Sequence, residues 1–197
     1  MKILLGSQSP RRRELLAGLD VDFRVVAIDA DEHYPAGLTG GDIPYYISRA
    51  KARAYSEPLA EDEVLLTADT IVWVPGEGER GGVMLGKPKD EEEARGMLLL
   101  LSGRMHEVYT GVTIRTHDGM QTIVDKTEVW FRALSKEEID HYVERYKPLD
   151  KAGAYGVQEW IGYVGVTKIV GSYFNVMGLP VERVWEILSN LKTQGLC

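Results

Sequence analysis

Apolar residues recur at helical spacing in four stretches of the chain. Ile43, Ile47, Ala50 and Ala54 form one stripe, and Ala94, Met97, Leu98 and Leu101 a second. Ile139, Tyr142, Val143 and Tyr146 form a third, and Val181, Val184, Trp185, Leu188 and Leu191 a fourth. Two of these open on helix-start signals, Asp90 with Glu93 and Ser135 with Glu138, which read as capping boxes or close relatives. Between the stripes lie β-rich runs at residues 2–6, 22–28 and 64–74. Residues 108–117 and 120–132 flank Asp118-Gly119, a strong two-residue hairpin turn, and residues 76–82 read as the tip of another hairpin. The alternation predicts a mixed α/β fold over a single domain, residues 1–197, with a bent central sheet and flanking helices forming two lobes around a cleft.

Composition narrows the function classes. The 197 residues carry a net charge of −7, which argues against general binding to nucleic acid or to a membrane surface. The longest obvious apolar run, Met97-Leu98-Leu99-Leu100-Leu101, is far too short to cross a bilayer, and the apolar opening stretch is too short for a secretory signal. The only cysteine is Cys197, so no intrachain disulfide or cysteine metal site is expected. The expectation is a cytoplasmic globular protein. The tryptophans Trp73, Trp130, Trp160 and Trp185 read as core or subunit-interface residues. His33, His106, His117 and His141 lack metal-ligand spacing and read as ordinary surface or hairpin residues.

Two places conflict with their local setting. After the first strand, Ser9 can cap a helix and Pro10 suits its first position, yet Arg11, Arg12 and Arg13 follow. Positive charge in a first turn opposes the helix dipole, whereas an anion there turns the same charges into a binding site. Arg11 and Arg12 are the better phosphate candidates, and Arg13 reads as facing water. Asp69 interrupts the apolar run 64–74, and a buried carboxylate needs a cation, a metal or donors to meet it. A strand-end aspartate closing a turn is an equally good reading; beside a phosphate site the carboxylate gains a use in holding Mg²⁺ or activating water. Lys51, four residues after Ile47, borders the apolar stripe of its helix, while Arg49 and Arg53 read as solvated.

Lys87 precedes a capped helix in Gly86-Lys87-Pro88. With Gly81 this nearly spells a phosphate-binding P-loop, but Pro88 stands where the metal-binding Ser or Thr belongs and removes an amide donor, so that fold is excluded. Gln158 ends a stretch of small residues and carries both a donor and an acceptor, enough to read the edge of a pyrimidine. A Gly-rich turn with one amide is an equally simple reading of that segment.

Taken in order, Ser7-Gln8-Ser9-Pro10-Arg11-Arg12, Ser48-Arg49-Ala50-Lys51-Ala52, Ala68-Asp69-Thr70-Ile71-Val72, Gly86-Lys87-Pro88, Leu101-Ser102-Gly103, Asp150-Lys151-Ala152-Gly153-Ala154-Tyr155-Gly156-Val157-Gln158 and Gly171-Ser172-Tyr173 resemble the Maf family of nucleotide pyrophosphatases, related in fold to the inosine triphosphate pyrophosphatases. The resemblance covers essentially the whole chain. It implies hydrolysis of a nucleoside triphosphate to the monophosphate and pyrophosphate with a divalent metal, Mg²⁺ or Mn²⁺. Ala68-Asp69-Thr70 with Tyr155-Gly156-Val157-Gln158 is similar to the branch acting on dTTP, UTP and modified uridine nucleotides, with clearance of non-standard nucleotides as one role. The resemblance makes Asp69 the proton acceptor and Arg11, Thr70 and Gln158 the residues tuning base choice. It matches Glu32 to an acidic residue that shares the metal with Asp69. Ser9, Arg12, Lys51 and Lys87 join the substrate-binding set, and a homodimer is a common family state. The loop at residues 75–84 is longer than in compact relatives, and Glu159-Trp160 replaces the usual small residues. A non-catalytic nucleotide-binding regulator of cell division and the 7-methyl-GTP-preferring branch are the alternatives.

Overall fold

Ile3, Leu4 and Leu5 are all buried, a run without alternation that marks a strand covered on both faces. In the computed structural model, which describes residues 1–76, 81–193 and 195, this run is β1 (Lys2–Leu5). It pairs in parallel with β2 (Phe23–Val25) on one side and with β3 (Glu63–Val74) on the other. The expected strand at 22–28 contracts to three residues. β1 ends at Leu5, so after Val26 donates to the Leu5 carbonyl no partner strand remains. β4 (Val83–Leu85) returns antiparallel along residues 72–74 of β3; the loop tip expected between them falls partly on residues 77–80, outside the described residues, as does Cys197.

β5 (Met105–Arg115) and β6 (Met120–Phe131) are neighbours in the sheet, and Thr116 N–H donates to the Gly119 carbonyl across the Asp118-Gly119 turn. β7 (Val166–Val170) runs antiparallel to β6, with an irregularity between Trp130 and Phe131. The strand order β2-β1-β3-β5-β6-β7, with β4 on β3, is a mixed sheet, and the fold is mixed α/β as expected.

The helices are α1 (Pro10–Ala17), α2 (Asp42–Ala54), α3 (Glu91–Leu101), α4 (Lys136–Tyr146), α5 (Trp160–Gly165), α6 (Tyr173–Met177) and α7 (Val181–Thr193). Ser9 caps α1 with Pro10 in its first turn, and Asp90 caps α3 by accepting from Glu93 N–H. Ser135 and Glu138 form both arms of a capping box on α4. In α2 the buried face is Ile43, Pro44, Ile47, Ser48 and Ala52, not the expected continuation through Ala50 and Ala54. The stripe rotates because Ser48 and Gly111 let the helix sit close: a Cβ on Gly111 would lie 2.2 Å from the Pro44 carbonyl oxygen.

Backbone contacts divide the chain into two compact units, Met1–Asp69 with Thr110–Asp125 and Gly178–Cys197, and Thr70–Tyr109 with Lys126–Met177. The first has a core of Leu4, Val26, Tyr55, Leu59 and Leu65, flanked by Ile28. In the second, α3 and α4 pack together and Arg95 of α3 pairs with Asp140 of α4 at 2.8 Å. Its aromatic centre is His106, Phe131 and Tyr155, edge to face at 5.0–5.3 Å. His106 is therefore a core residue, not the surface residue expected; its ring nitrogen bonds the Tyr155 hydroxyl at 2.8 Å. None of the four tryptophans is fully buried, and Trp185 is half exposed. Indole's size explains this, since partial burial satisfies its ring while leaving the N–H near water.

Candidate active site

Lys51 leaves α2 one turn beyond Ile47, which fixes its stem against the packed face of the helix. Its ammonium lies 2.8 Å from an Asp69 oxygen and 2.8 Å from a Glu32 oxygen. The side chains of Lys51 and Asp69 are each only 14% exposed, so their attraction acts in a poorly solvated setting. Glu32 is more open, at 58%. The carboxylate that conflicted with the apolar run of β3 is thus met by a cation, and two acidic groups converge on one positive point.

Arg12 completes this part of the first unit. Its Nε donates to the Gly178 carbonyl at 2.8 Å, and its Nη1 to the Ala68 carbonyl at 2.9 Å and to Ser7 Oγ at 3.3 Å. Burial pulls its pKa down, with the charge of Asp69 acting the other way. One of the three charges opposing the α1 dipole is therefore turned onto backbone oxygens. Arg13 does not simply face water: its guanidinium donates to Gln8 at 2.9 Å. Ser9 spends its hydroxyl on the α1 cap, and Arg11 lies half-buried in the first turn. Ser7, which also accepts from Ser9 N–H, was not singled out by the sequence; nothing but its place in a Ser-rich turn signalled it.

Thr70, Lys87 and Gln158 belong to the second unit. Thr70 directly follows Asp69 along β3 and is half-buried. Lys87 is exposed on the turn after β4, and that turn is tied by Gly153 N–H donating to the Gly86 carbonyl at 3.0 Å. Gly153 needs its positive φ of 67° and its missing side chain, because a Cβ there would sit 2.8 Å from Val72. Gln158 is half-buried, and its Oε1 is buried without a hydrogen-bond partner. A buried acceptor with nothing donating to it costs roughly 1–3 kcal/mol, which a ligand donor removes.

The family model described as Maf-like protein matches residues 2–191. The chain belongs to the Maf-like proteins. A dTTP/UTP pyrophosphatase of Bacteroides thetaiotaomicron is 50% identical over 191 residues, covering 96% of this Maf-like chain and 96% of the relative. One from Parabacteroides distasonis is 52% identical over 190 residues, covering 96% and 95%. Among solved structures, a nucleoside-triphosphatase / dITP/XTP pyrophosphatase from Mycobacterium abscessus covers 100% of this chain and 98% of that chain, with 16% identity and a TM-score of 0.42. A likeness that loose adds nothing to the assignment.

Proposed function

We propose that this Maf-like protein is a nucleoside triphosphate pyrophosphatase that hydrolyses dTTP and UTP, with modified uridine triphosphates, to the monophosphate and pyrophosphate. The observation that carries it is the convergence of Asp69 and Glu32 on Lys51, in a chain half identical to proteins named dTTP/UTP pyrophosphatase. Water attacks the α-phosphorus, its proton passes to the Asp69 carboxylate, and the bond from that phosphorus to the bridging oxygen breaks to release pyrophosphate. Lys51 and Arg11 neutralise the phosphate charge. Arg12 acts on the protein instead of the phosphates, because by holding the Ala68 carbonyl it fixes the backbone next to Asp69.

The donor set suits a hard divalent cation. Asp69 and Glu32 already share one cationic position, and among the described residues no third His, Cys, Asp or Glu completes a cage. Magnesium is bound in this way, by one or two carboxylates with water and phosphate oxygens. Asp69 and Glu32 would hold Mg²⁺ or Mn²⁺, which neutralises phosphate charge and acidifies water when bound.

Base choice is assigned to Gln158, with Thr70 beside Asp69. An unpaired buried acceptor calls for a donor, and uracil and thymine present an N3–H between two carbonyls, whereas cytosine offers a bare acceptor there. Among the described residues no helix is long and apolar enough to cross a membrane.

The test is pyrophosphate release from dTTP, UTP, CTP, GTP, ATP, ITP, 5-methyl-UTP and 7-methyl-GTP, with Mg²⁺ and with Mn²⁺. Preference for the uracil and thymine members, lost in Asp69→Asn, is expected. Tight nucleotide binding without any release favours the regulator, and preference for 7-methyl-GTP moves the chain to the other branch.

A further inference from the structure

Gln158 sits inside a turn whose anchoring groups take no part in the chemistry described above. Glu159 N–H donates to the Gly156 carbonyl at 3.0 Å, closing residues 156–159 into a tight loop. Both ends of that loop reach one buried atom. Gly156 N–H donates to the Tyr142 hydroxyl at 3.0 Å, and the hydroxyl donates to one oxygen of the Glu159 carboxylate. The other carboxylate oxygen lies 3.0 Å from Lys151 Nζ, which also donates to Asp150 at 2.7 Å.

These partners are unusual in being enclosed. Tyr142 is completely buried and the Lys151 side chain is only 9% exposed. Burial, reinforced by the Glu159 charge, pushes the Tyr142 pKa up, so the hydroxyl keeps its proton and stays a donor. A Cβ on Gly156 would meet Glu159 Cδ at 2.8 Å, so a side chain there would push the Glu159 carboxylate from its place. The carbonyl of Glu159 then accepts from Gly162 and Tyr163 N–H and starts α5, which carries the restraint onward into a helix.

A buried ion pair is a weak device for stability, because desolvation offsets most of its attraction. Its better-supported use is to fix one arrangement among several. A buried side-chain atom of this loop without a hydrogen-bond partner is Gln158 Oε1. A loop pinned at both ends fixes the Gln158 backbone, and with it the point and direction from which the side chain leaves; a loose loop would let the whole residue swing toward water.

We propose that Tyr142, Glu159 and Lys151 are positioning residues for base selection, holding the 156–159 turn so that Gln158 presents its carbonyl to an N–H of the ligand. This rests on the reading that Gln158 faces the base. Sequence alone placed Lys151 in the motif and Glu159 just beyond it, as a departure from the usual small residues, and gave neither a partner, since Tyr142 lies on α4.

The experiment measures kcat and KM for UTP and CTP in the wild type, Gln158→Ala, Tyr142→Phe and Glu159→Gln, with far-UV circular dichroism to verify folding. Gln158→Ala and Tyr142→Phe are each expected to lower the UTP-to-CTP ratio of kcat/KM about tenfold, the loss in Tyr142→Phe falling on KM for UTP more than on kcat. A merely structural Tyr142 would lower both substrates together and leave the ratio intact. That result, beside a collapsed ratio in Gln158→Ala, overturns the positioning role and leaves the pyrophosphatase reading standing. An unchanged ratio in Gln158→Ala removes both base reading by Gln158 and the network that would serve it. Should Tyr142→Phe not fold, Glu159→Gln decides: it keeps an acceptor for the Tyr142 hydroxyl and drops the Lys151 ion pair. A ratio lowered about threefold supports the proposal, and a wild-type ratio in folded Glu159→Gln overturns it.

Discussion

Lys51 holds together two acidic side chains, one enclosed and one open to water, that would otherwise repel each other. Lys51→Met therefore removes both the proposed phosphate partner and the charge that keeps Asp69 and Glu32 compatible. Pyrophosphate release is expected to fall at least a hundredfold, about 2.7 kcal/mol, with the circular dichroism spectrum retained. His106 makes a different kind of prediction. Burial lowers its pKa to about 3 from the ordinary 6.5, so between those values the unfolded chain takes up a proton that the folded one refuses. Its favourable contribution is whole above pH 6.5 and is lost as the pH falls toward 3, at up to about 1.4 kcal/mol per pH unit. Thermal midpoints followed from pH 7 to pH 4 should drop less steeply in His106→Gln than in the wild type. Asp69 was legible from sequence because it broke the apolar run around it, and Lys51 because it bordered the apolar stripe of its helix. His106 was not, because its spacing in β5 says only that it alternates, and its burial depends on Phe131 and Tyr155 arriving from elsewhere.

Helix ends were the most readable elements, since a cap is a contract between residues three apart and needs nothing distant. Ser135→Ala should cost about 1 kcal/mol in chemical denaturation, because Glu138 N–H loses its acceptor while the apolar face of α4 is untouched. The buried face of α2 was less readable. Its register is set by how closely β5 approaches, and that approach depends on the bare backbone of Gly111. Gly111→Ala places a methyl 2.2 Å from the Pro44 carbonyl oxygen and is expected to destabilise the protein by more than about 2 kcal/mol, read as a lowered denaturation midpoint. β2 shrank for a related reason: propensity proposes a strand, but a four-residue partner decides how much of it can pair.

At the scale of the whole molecule, the two units are not successive stretches of chain. Three of the four boundaries between them fall inside β3, β5 and β6, at Asp69/Thr70, Tyr109/Thr110 and Asp125/Lys126, and the fourth follows α6 at Met177/Gly178. Each unit draws backbone from the same three strands, so calorimetry should show one cooperative unfolding transition; two resolved transitions would show the units melting separately. This interleaving was invisible in the sequence, where composition is even and no linker stands out. The same interleaving governs when the site is finished during synthesis. Arg12 reaches its Ala68 partner after some fifty-six further residues, but its Gly178 partner lies 166 residues away. A nascent chain on the ribosome therefore carries Asp69, Glu32 and Lys51 long before the guanidinium that steadies the backbone beside Asp69 can be seated. Arg12 works as a late-closing clasp, and the Asp69 carboxylate takes its final setting only once most of the polypeptide has been made.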